Sequence, residues 1–265
     1  MKKIHIVTIS ACLIFLGVIG FMILASKGSS SGSESGNLLK EISQAIEDKN
    51  IPAASQLYKQ ALENLSDSNV LEKARAKIEE ASIKSIFSSS LNECSVIYVV
   101  QPKDVLSKIA KKFKTTVALI KRANNLKTDV IRPKQKLKVN ICAFSIVVDK
   151  SQNLLFLKQK QEVIKTYIVS TGKANSTPTG NFRIINKLAN PTWYKTGAVI
   201  APNSPENILG TRWLGFDSKG YGIHGTTEPE MLGRQITLGC VRMKNEDVEE
   251  LFDIVPVGTE VIIVD

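Results

Sequence analysis

The sequence predicts a multidomain chain: an N-terminal transmembrane helix, a small α-helical hairpin region, a βααβ module, and a mostly-β, sandwich or barrel-like domain with one helix. Three observations carry this expectation. An apolar run at the N-terminus is long enough to cross a bilayer. Apolar residues then recur at helical spacing as far as residue 90. From residue 143 onward, short β-like runs follow one another between turn residues. The expected boundaries are 1–27 for the membrane segment, 28–36 for a Ser/Gly linker, 37–92 for a helical spacer, 96–141 for the βααβ module and 143–265 for the β domain.

The chain has 265 residues with 43% hydrophobic, 23% charged and 6% aromatic content, which is ordinary for globular protein. Its formal net charge of +10 favours anionic surfaces such as membrane headgroups or cell-wall polymers. Nucleic acid is not expected as a partner. The Lys residues run along the whole chain, and no basic stretch is interleaved with aromatics as single-strand binders require.

Lys2 and Lys3 precede the apolar run Ile4 to Ala25, and Lys27 follows it. Two readings are open, an uncleaved anchor over residues 4–25 and a signal segment cleaved near Ser26 and Gly28. Both export the rest of the chain, and the leading lysines place the N-terminus in the cytoplasm. "SKGSSSGSESG" (26–36) then reads as a flexible tether.

In the spacer, Leu38, Ile42, Ala45 and Ile46 share one helix face. Pro52 opens a second run through Leu65, since proline is tolerated in a first helical turn. "SDSN" (66–69) supplies caps for a third run containing Leu71, Ala74, Ile78 and Ala81. "AASQLYKQAL" loosely resembles one tetratricopeptide-like unit, too few for a solenoid. A spacer or dimerisation hairpin is the expected role.

Residues 97–141 begin with an alternating strand, pass through two short apolar-faced helices and end in a strand. "YVVQPKDVLSKIAKKF", "LIKRANNL" and "IRPKQKLKV" closely resemble the LysM family. The resemblance implies binding to N-acetylglucosamine-containing glycans such as peptidoglycan. Lys103 and Lys134 stand where that family usually has glycine, so the fold is expected to hold while the glycan groove is altered. Cys94 and Cys142 flank the two strands of this module. Paired strands bring their outer flanks together, so a disulfide is expected between them, against the reading of two separate buried thiols. Of the three exported cysteines, that pairing leaves Cys240 over.

In the last domain, "FSIVVD", "NLLFLK", "EVIKTYIVST" and "NFRIINK" read as strands, and "YGIHG" as a short strand reaching His224. "NEDVEELFDIV" reads as the one helix, capped by Asn245, and "EVIIVD" as the closing strand. Cys240 lies beside Gly239 and near Thr237 and Arg242, a polar setting unlike that of a structural cysteine. Arg242 favours a thiolate. A His that takes the thiol proton and returns it to a leaving amine would complete a Cys–His unit. On spacing alone, catalysis, chance and a metal site all stay open. Metal is the weakest, because no CxxC or HxxxH occurs.

"YGIHGTTEPEMLGRQITLGCVRM" resembles the catalytic signature of the L,D-transpeptidase (YkuD) family, with further matches in "STGKANSTPTGNFRI" and "NILGTRWLGF". The resemblance implies a cysteine acyltransferase needing neither cofactor nor metal. It implies Cys240 as nucleophile, His224 as base and the Gly225 carbonyl orienting His224. It also implies Gly239 and Thr237 beside the oxyanion region, with backbone N–H groups near Gly239 and Cys240 as donors. Arg242 would hold a substrate carboxylate or brace the loop. Tyr221, Trp193 and Trp213 would line the cleft or pack in the core. Leu238 departs from the family, where His commonly precedes Gly239. The implied partners are peptidoglycan glycan strands and stem peptides. The implied location is the bacterial cell envelope, single-pass anchored, with the catalytic domain outside the cytoplasm, periplasmic or wall-facing. Hydrolysis by an L,D-carboxypeptidase and a non-catalytic wall-binding scaffold are the rival readings.

Overall fold

The computed structural model describes residues 31–195, 197–202 and 204–265. Three helices come first: α1 (Ser31–Glu47), α2 (Ile51–Asn64) and α3 (Ser68–Phe87). The Asn50 side chain accepts from the Ala53 N–H to start α2, and Asp67 accepts from the Asn69 and Val70 N–H groups to start α3. Their shared core is small, built on Ile42, Ala54, Ala74 and Ile78. The end of α3 inserts Ile83 and Ile86 into the core of the last domain instead.

Four elements form the next unit: β1 (Ser95–Val99), α4 (Leu106–Phe113), α5 (Val117–Ala123) and β2 (Lys136–Asn140). The two strands pair antiparallel, Tyr98 opposite Leu137. Leu106, Ile109 and Ala110 of α4 and Ile120 of α5 pack against Leu137 and Val139. Lys103 and Lys134 both adopt φ of 70°, the left-handed backbone that glycine would take without strain. Cys94 and Cys142 are disulfide-bonded across the open end, Cα atoms 5.0 Å apart.

The last domain holds β3 (Phe144–Asp149), β4 (Leu154–Gln159), β5 (Glu162–Ile168), β6 (Thr171–Gly172), β7 (Gly180–Ala189), β8 (Trp193–Lys195) and β9 (Ala198–Ile200). After these come β10 (Arg212–Phe216), β11 (Gly222–His224), β12 (Gln235–Thr237), β13 (Val241–Arg242), α6 (Asn245–Ile254) and β14 (Glu260–Val264). Eight strands make one curved sheet in the order β13-β11-β10-β7-β14-β3-β4-β5. β8 and β9 form a separate hairpin, and β6 pairs with β12. Alternation puts Ile146, Val148, Leu155, Leu157, Leu214, Ile223, Val261 and Ile263 on one face, where Val248, Leu251 and Ile254 of α6 cover them. Each such side chain contributes about 1.5–3 kcal/mol by leaving water.

The expected fold class needs four corrections. Among the described residues no helix is long and apolar enough to cross a membrane. The expected span 4–25 lies outside the described residues, so the transmembrane helix, the single-pass localisation and the membrane as partner are not carried further. Of the two or three helices expected between residues 37 and 90, all three form, so the unit is larger than a hairpin. The expected linker 28–36 is helical from Ser31, so Ser and Gly there extend α1 instead of forming a tether. The β domain is a half-barrel around one long sheet, not a two-sheet sandwich, and carries two 3₁₀ turns (Lys173–Asn175 and Pro229–Met231) besides α6.

The three units pack on one another. The Thr116 hydroxyl contacts the Asp253 carbonyl, and Arg122 pairs with the Asp253 carboxylate at 3.0 Å. The Lys138 ammonium donates to the Ser85 and Ser88 carbonyls, both at 2.8 Å, capping the end of α3 from β2.

Candidate active site

The curved sheet brings the signature residues together. β11 runs parallel to β13, with Ile223 beside Val241 and His224 beside Arg242. Cys240 therefore enters β13 alongside the start of β11. Across the sheet, Leu188, Trp213, His224 and Arg242 are successive strand partners on the face turned away from α6. Trp213 stacks on His224 with ring centroids 6.0 Å apart. Its indole lies over two glycines: a Cβ on Gly222 would meet the ring at 2.8 Å, and one on Gly215 would meet its nitrogen at 2.7 Å.

His224 is 3% exposed, and its Nδ1 lies 2.7 Å from the Gly225 carbonyl oxygen. A carbonyl only accepts, so Nδ1 carries the proton and Nε2 keeps its lone pair. Burial lowers the His224 pKa to about 4, and the nearby Arg242 charge lowers it too, against the opposing Gly225 contact. The imidazole is therefore neutral at physiological pH.

Cys240 is half-buried, and its thiol is directed to the Gly220 carbonyl at 3.5 Å. Burial pushes its pKa up, while the Gly222 N–H and the Arg242 charge pull it down without winning. This corrects the expectation of an Arg242-favoured thiolate: desolvation outweighs the charge, and the resting cysteine is a thiol. Among the described residues it is the free cysteine.

Thr237 organises the loop around it. The Gly239 N–H donates to the Thr237 hydroxyl at 3.1 Å, and that hydroxyl donates to the Cys240 carbonyl at 2.7 Å. Gly239 is thus an occupied donor. The Cys240 N–H has no intramolecular partner among the described residues. Gly239 has φ of 128°, and a Cβ there would meet the Tyr221 ring at 2.6 Å, so Tyr221 is the wall against which this turn closes. Leu238 is 82% exposed at the mouth of the site.

Arg242 is buried and pairs with Glu228 at 2.9 Å. Of its two sequence readings, bracing the loop between His224 and Cys240 is the one the resting geometry displays. Trp193 lies apart from this row, on β8 with Lys195 4.9 Å from its ring. Cys94 and Cys142 belong to the neighbouring unit and do not approach the site. Among the described residues, no group of three or more His, Cys, Asp or Glu is arranged to hold a metal ion.

Sequence reasoning missed three contributors. The Gly222 N–H at the sulfur is a backbone group with no sequence signal. Glu228 lay in the signature without a role. Asn245 was expected to cap α6, but the N-cap is Lys244, and Asn245 serves the site instead. Its Oδ1 accepts from the Thr211 and Thr226 N–H groups at 3.2 and 3.1 Å, and its Nδ2 donates to the Thr226 carbonyl at 2.8 Å. Glycine is required at 225 because a Cβ there would fall 2.1 Å from that amide oxygen.

Comparison with known proteins places this arrangement. The YkuD family model, L,D-transpeptidase catalytic domain, matches residues 143–263, and the LysM domain model matches residues 98–140. The Bacillus subtilis protein YqjB, whose name places it among the L,D-transpeptidases, is 43% identical over 126 residues, covering 45% of this chain and 70% of its own. YkuD of the same organism, also named for that activity, is 34% identical over 173 residues, covering 63% of this chain and 97% of its own. YkuD of Bacillus licheniformis is 33% identical over 176 residues, covering 63% of this chain and 98% of its own. With its His-Gly and Thr-Leu-Gly-Cys-Val-Arg segments brought onto adjacent strands of one half-barrel, and these relatives matched over most of their length, the chain belongs to the L,D-transpeptidase family and carries a LysM domain.

Proposed function

We propose that the chain is a peptidoglycan L,D-transpeptidase in which Cys240 cleaves the bond between the third residue and the terminal D-Ala of a donor tetrapeptide stem. The carrying observation is His224, buried and neutral, with Nδ1 held 2.7 Å from the Gly225 carbonyl and Nε2 left to accept a proton. A neutral thiol beside a neutral imidazole reacts by transferring its proton as it attacks. The thiol leaves the Gly220 carbonyl, gives its proton to His224 Nε2, and sulfur adds to the carbonyl carbon of the third residue. The oxyanion is held by the Cys240 N–H, the donor without another partner. Collapse breaks the C–N bond, His224 returns the proton to the D-Ala amine, and a thioester remains. The side-chain amine of a second stem then displaces sulfur with proton transfer through His224, giving a 3→3 cross-link and a restored thiol. The LysM domain holds the enzyme to glycan strands while this proceeds.

Mass spectrometry of the full chain with a disaccharide-tetrapeptide tests the scheme. The expected species is an adduct on Cys240 equal to the donor minus D-Ala, followed by dimeric product. Tripeptide without dimer would make water the acceptor and the enzyme an L,D-carboxypeptidase. Identical products from wild type and Cys240→Ala would sink catalysis by this site and leave a wall-binding scaffold.

A further inference from the structure

The excess positive charge of the chain is concentrated, although its lysines are not. Between Val96 and Ile141 stand twelve Lys and Arg against two carboxylates, Asp104 and Asp129, which equals the formal +10 of the whole chain. The other residues balance. The LysM unit is therefore a compact cationic body on an otherwise neutral protein.

Nine of its twelve cations divide between two roles. Lys121 pairs with Asp129, Arg122 with Asp253, and Lys138 caps α3, so these three serve the unit and its docking. α5 meets α3 and α6, whereas α4 packs only on α5 among the larger contacts between elements. The outward side carries Lys108, Lys111 and Lys112 of α4, with Lys103, Lys114 and Lys134 in the flanking turns. All six are exposed, and none has a carboxylate within salt-bridge distance among the described residues.

The turn lysines supply an independent observation. Lys103, Lys114 and Lys134 have φ of 70°, 51° and 70°, a backbone that disfavours any side chain by about 1–2 kcal/mol relative to its ordinary conformation. Glycine would remove that strain, and the LysM resemblance expects it at two of the three positions. Three strained turns in one small unit, each holding an unpaired exposed cation, mark charge that is kept against backbone preference.

We propose that this outward face of the LysM unit binds a phosphodiester-linked anionic polymer of the cell wall, in addition to glycan. The choice of a wall polymer rests on the peptidoglycan reading above. Charge complementarity favours it: unpaired cations along one helix and three turns match a flexible chain with regularly spaced phosphates. A membrane surface fits less well, because Leu106, Ile109 and Ala110, the apolar face of α4, are buried in the unit's own core and unavailable for insertion. Nucleic acid fits less well too. The aromatics of the unit, Tyr98 and Phe113, pack edge-to-face on each other at 5.5 Å and offer no stacking platform.

The test uses the full chain with soluble poly(glycerol phosphate), and with sacculi before and after acid removal of phosphodiester polymers. Binding to poly(glycerol phosphate) should fall by roughly tenfold or more between 50 and 200 mM salt. The variant Lys103→Gly/Lys114→Gly/Lys134→Gly should lose roughly a third or more of that salt slope, while its thermal midpoint does not fall because glycine suits these φ values. Salt-independent binding, an unchanged slope in the variant, or tighter binding to a DNA duplex or anionic vesicles than to poly(glycerol phosphate) would each overturn the assignment. Loss of binding to stripped sacculi with poly(glycerol phosphate) binding intact would refute the glycan role of the unit and support its anionic one.

Discussion

Asn245 fixes the backbone beside His224, the base of the proposed mechanism. Its amide grips both backbone groups of Thr226, one bond beyond the Gly225 carbonyl that orients His224. Asn245→Ala leaves two buried N–H groups and one carbonyl unpaired and frees that carbonyl to move. Acylation should fall by about 100-fold, as expected for a small misplacement of a catalytic group. The pH profile separates this from simple destabilisation: the acid limb should move up from near 4 toward the ordinary 6.5, because His224 is less firmly held and more solvated. Wild-type kcat/KM should stay flat through mildly acidic pH and decline only as His224 protonates near pH 4. The same shift affects stability. Folded His224 titrates near 4 and unfolded His near 6.5, so the unfolded chain binds more protons between those values. This contribution is complete above pH 6.5 and is lost as pH falls toward 4, a slope of about 3 kcal/mol in total. Denaturant titrations from pH 7 to 4 should show that loss in wild type and its absence in His224→Gln.

At the scale of elements, the short strands β11 and β13 could not persist alone. They exist because β10 and the face covered by α6 hold them, with Ile223 and Val241 fully buried. Leu214→Ala on the neighbouring strand should cost about 2–5 kcal/mol by leaving a cavity beneath the catalytic row. The disulfide closes the βααβ unit at its weak end, across a sequence separation of 48 residues. Loop closure over that span is worth about 4 kcal/mol, so Cys94→Ala/Cys142→Ala should lower the unfolding midpoint of this unit by a corresponding amount in denaturant. The helix start at Asp67, within "SDSN", was legible in the sequence, since a cap is a local device, whereas the cap at Asn50 was not read beside Pro52. The use of Asn245 was not, because its partners Thr211 and Thr226 are brought to it only by the folded sheet.

For the whole molecule, Lys138 is the contact to disturb. Its ammonium is buried and its pKa lowered to about 8 by burial, yet it satisfies two carbonyls at the end of α3. Lys138→Met leaves the Ser88 carbonyl unpaired, at about 1–3 kcal/mol, while the Ser85 carbonyl keeps its bonds from the Ser88 N–H and hydroxyl. The expected result is faster proteolysis and hydrogen exchange across 85–95, with the half-barrel unaffected. Arg122→Ala should change little, because a half-exposed ion pair is worth about 0–1 kcal/mol. Unchanged exchange in Lys138→Met would mean that the insertion of Ile83, Ile86 and Leu119 into the half-barrel core, with the Asp253 contacts, holds the units without it.

The sequence by itself determined the βααβ order, the run of strands after residue 143, and the candidacy of His224 and Cys240, because periodicity and motif are properties of neighbouring residues. It also held the concentration of charge between residues 96 and 141, which needs only counting. Tertiary structure decided the rest. It chose the half-barrel over the sandwich that the strand run also allowed, since strand order depends on which edges meet. It set the protonation of the site: burial, which no local pattern encodes, keeps both Cys240 and His224 neutral against the pull of Arg242 on the thiol. And it replaced a distance of sixteen residues along the chain by two adjacent parallel strands, with His224 on one and Cys240 at the start of the other.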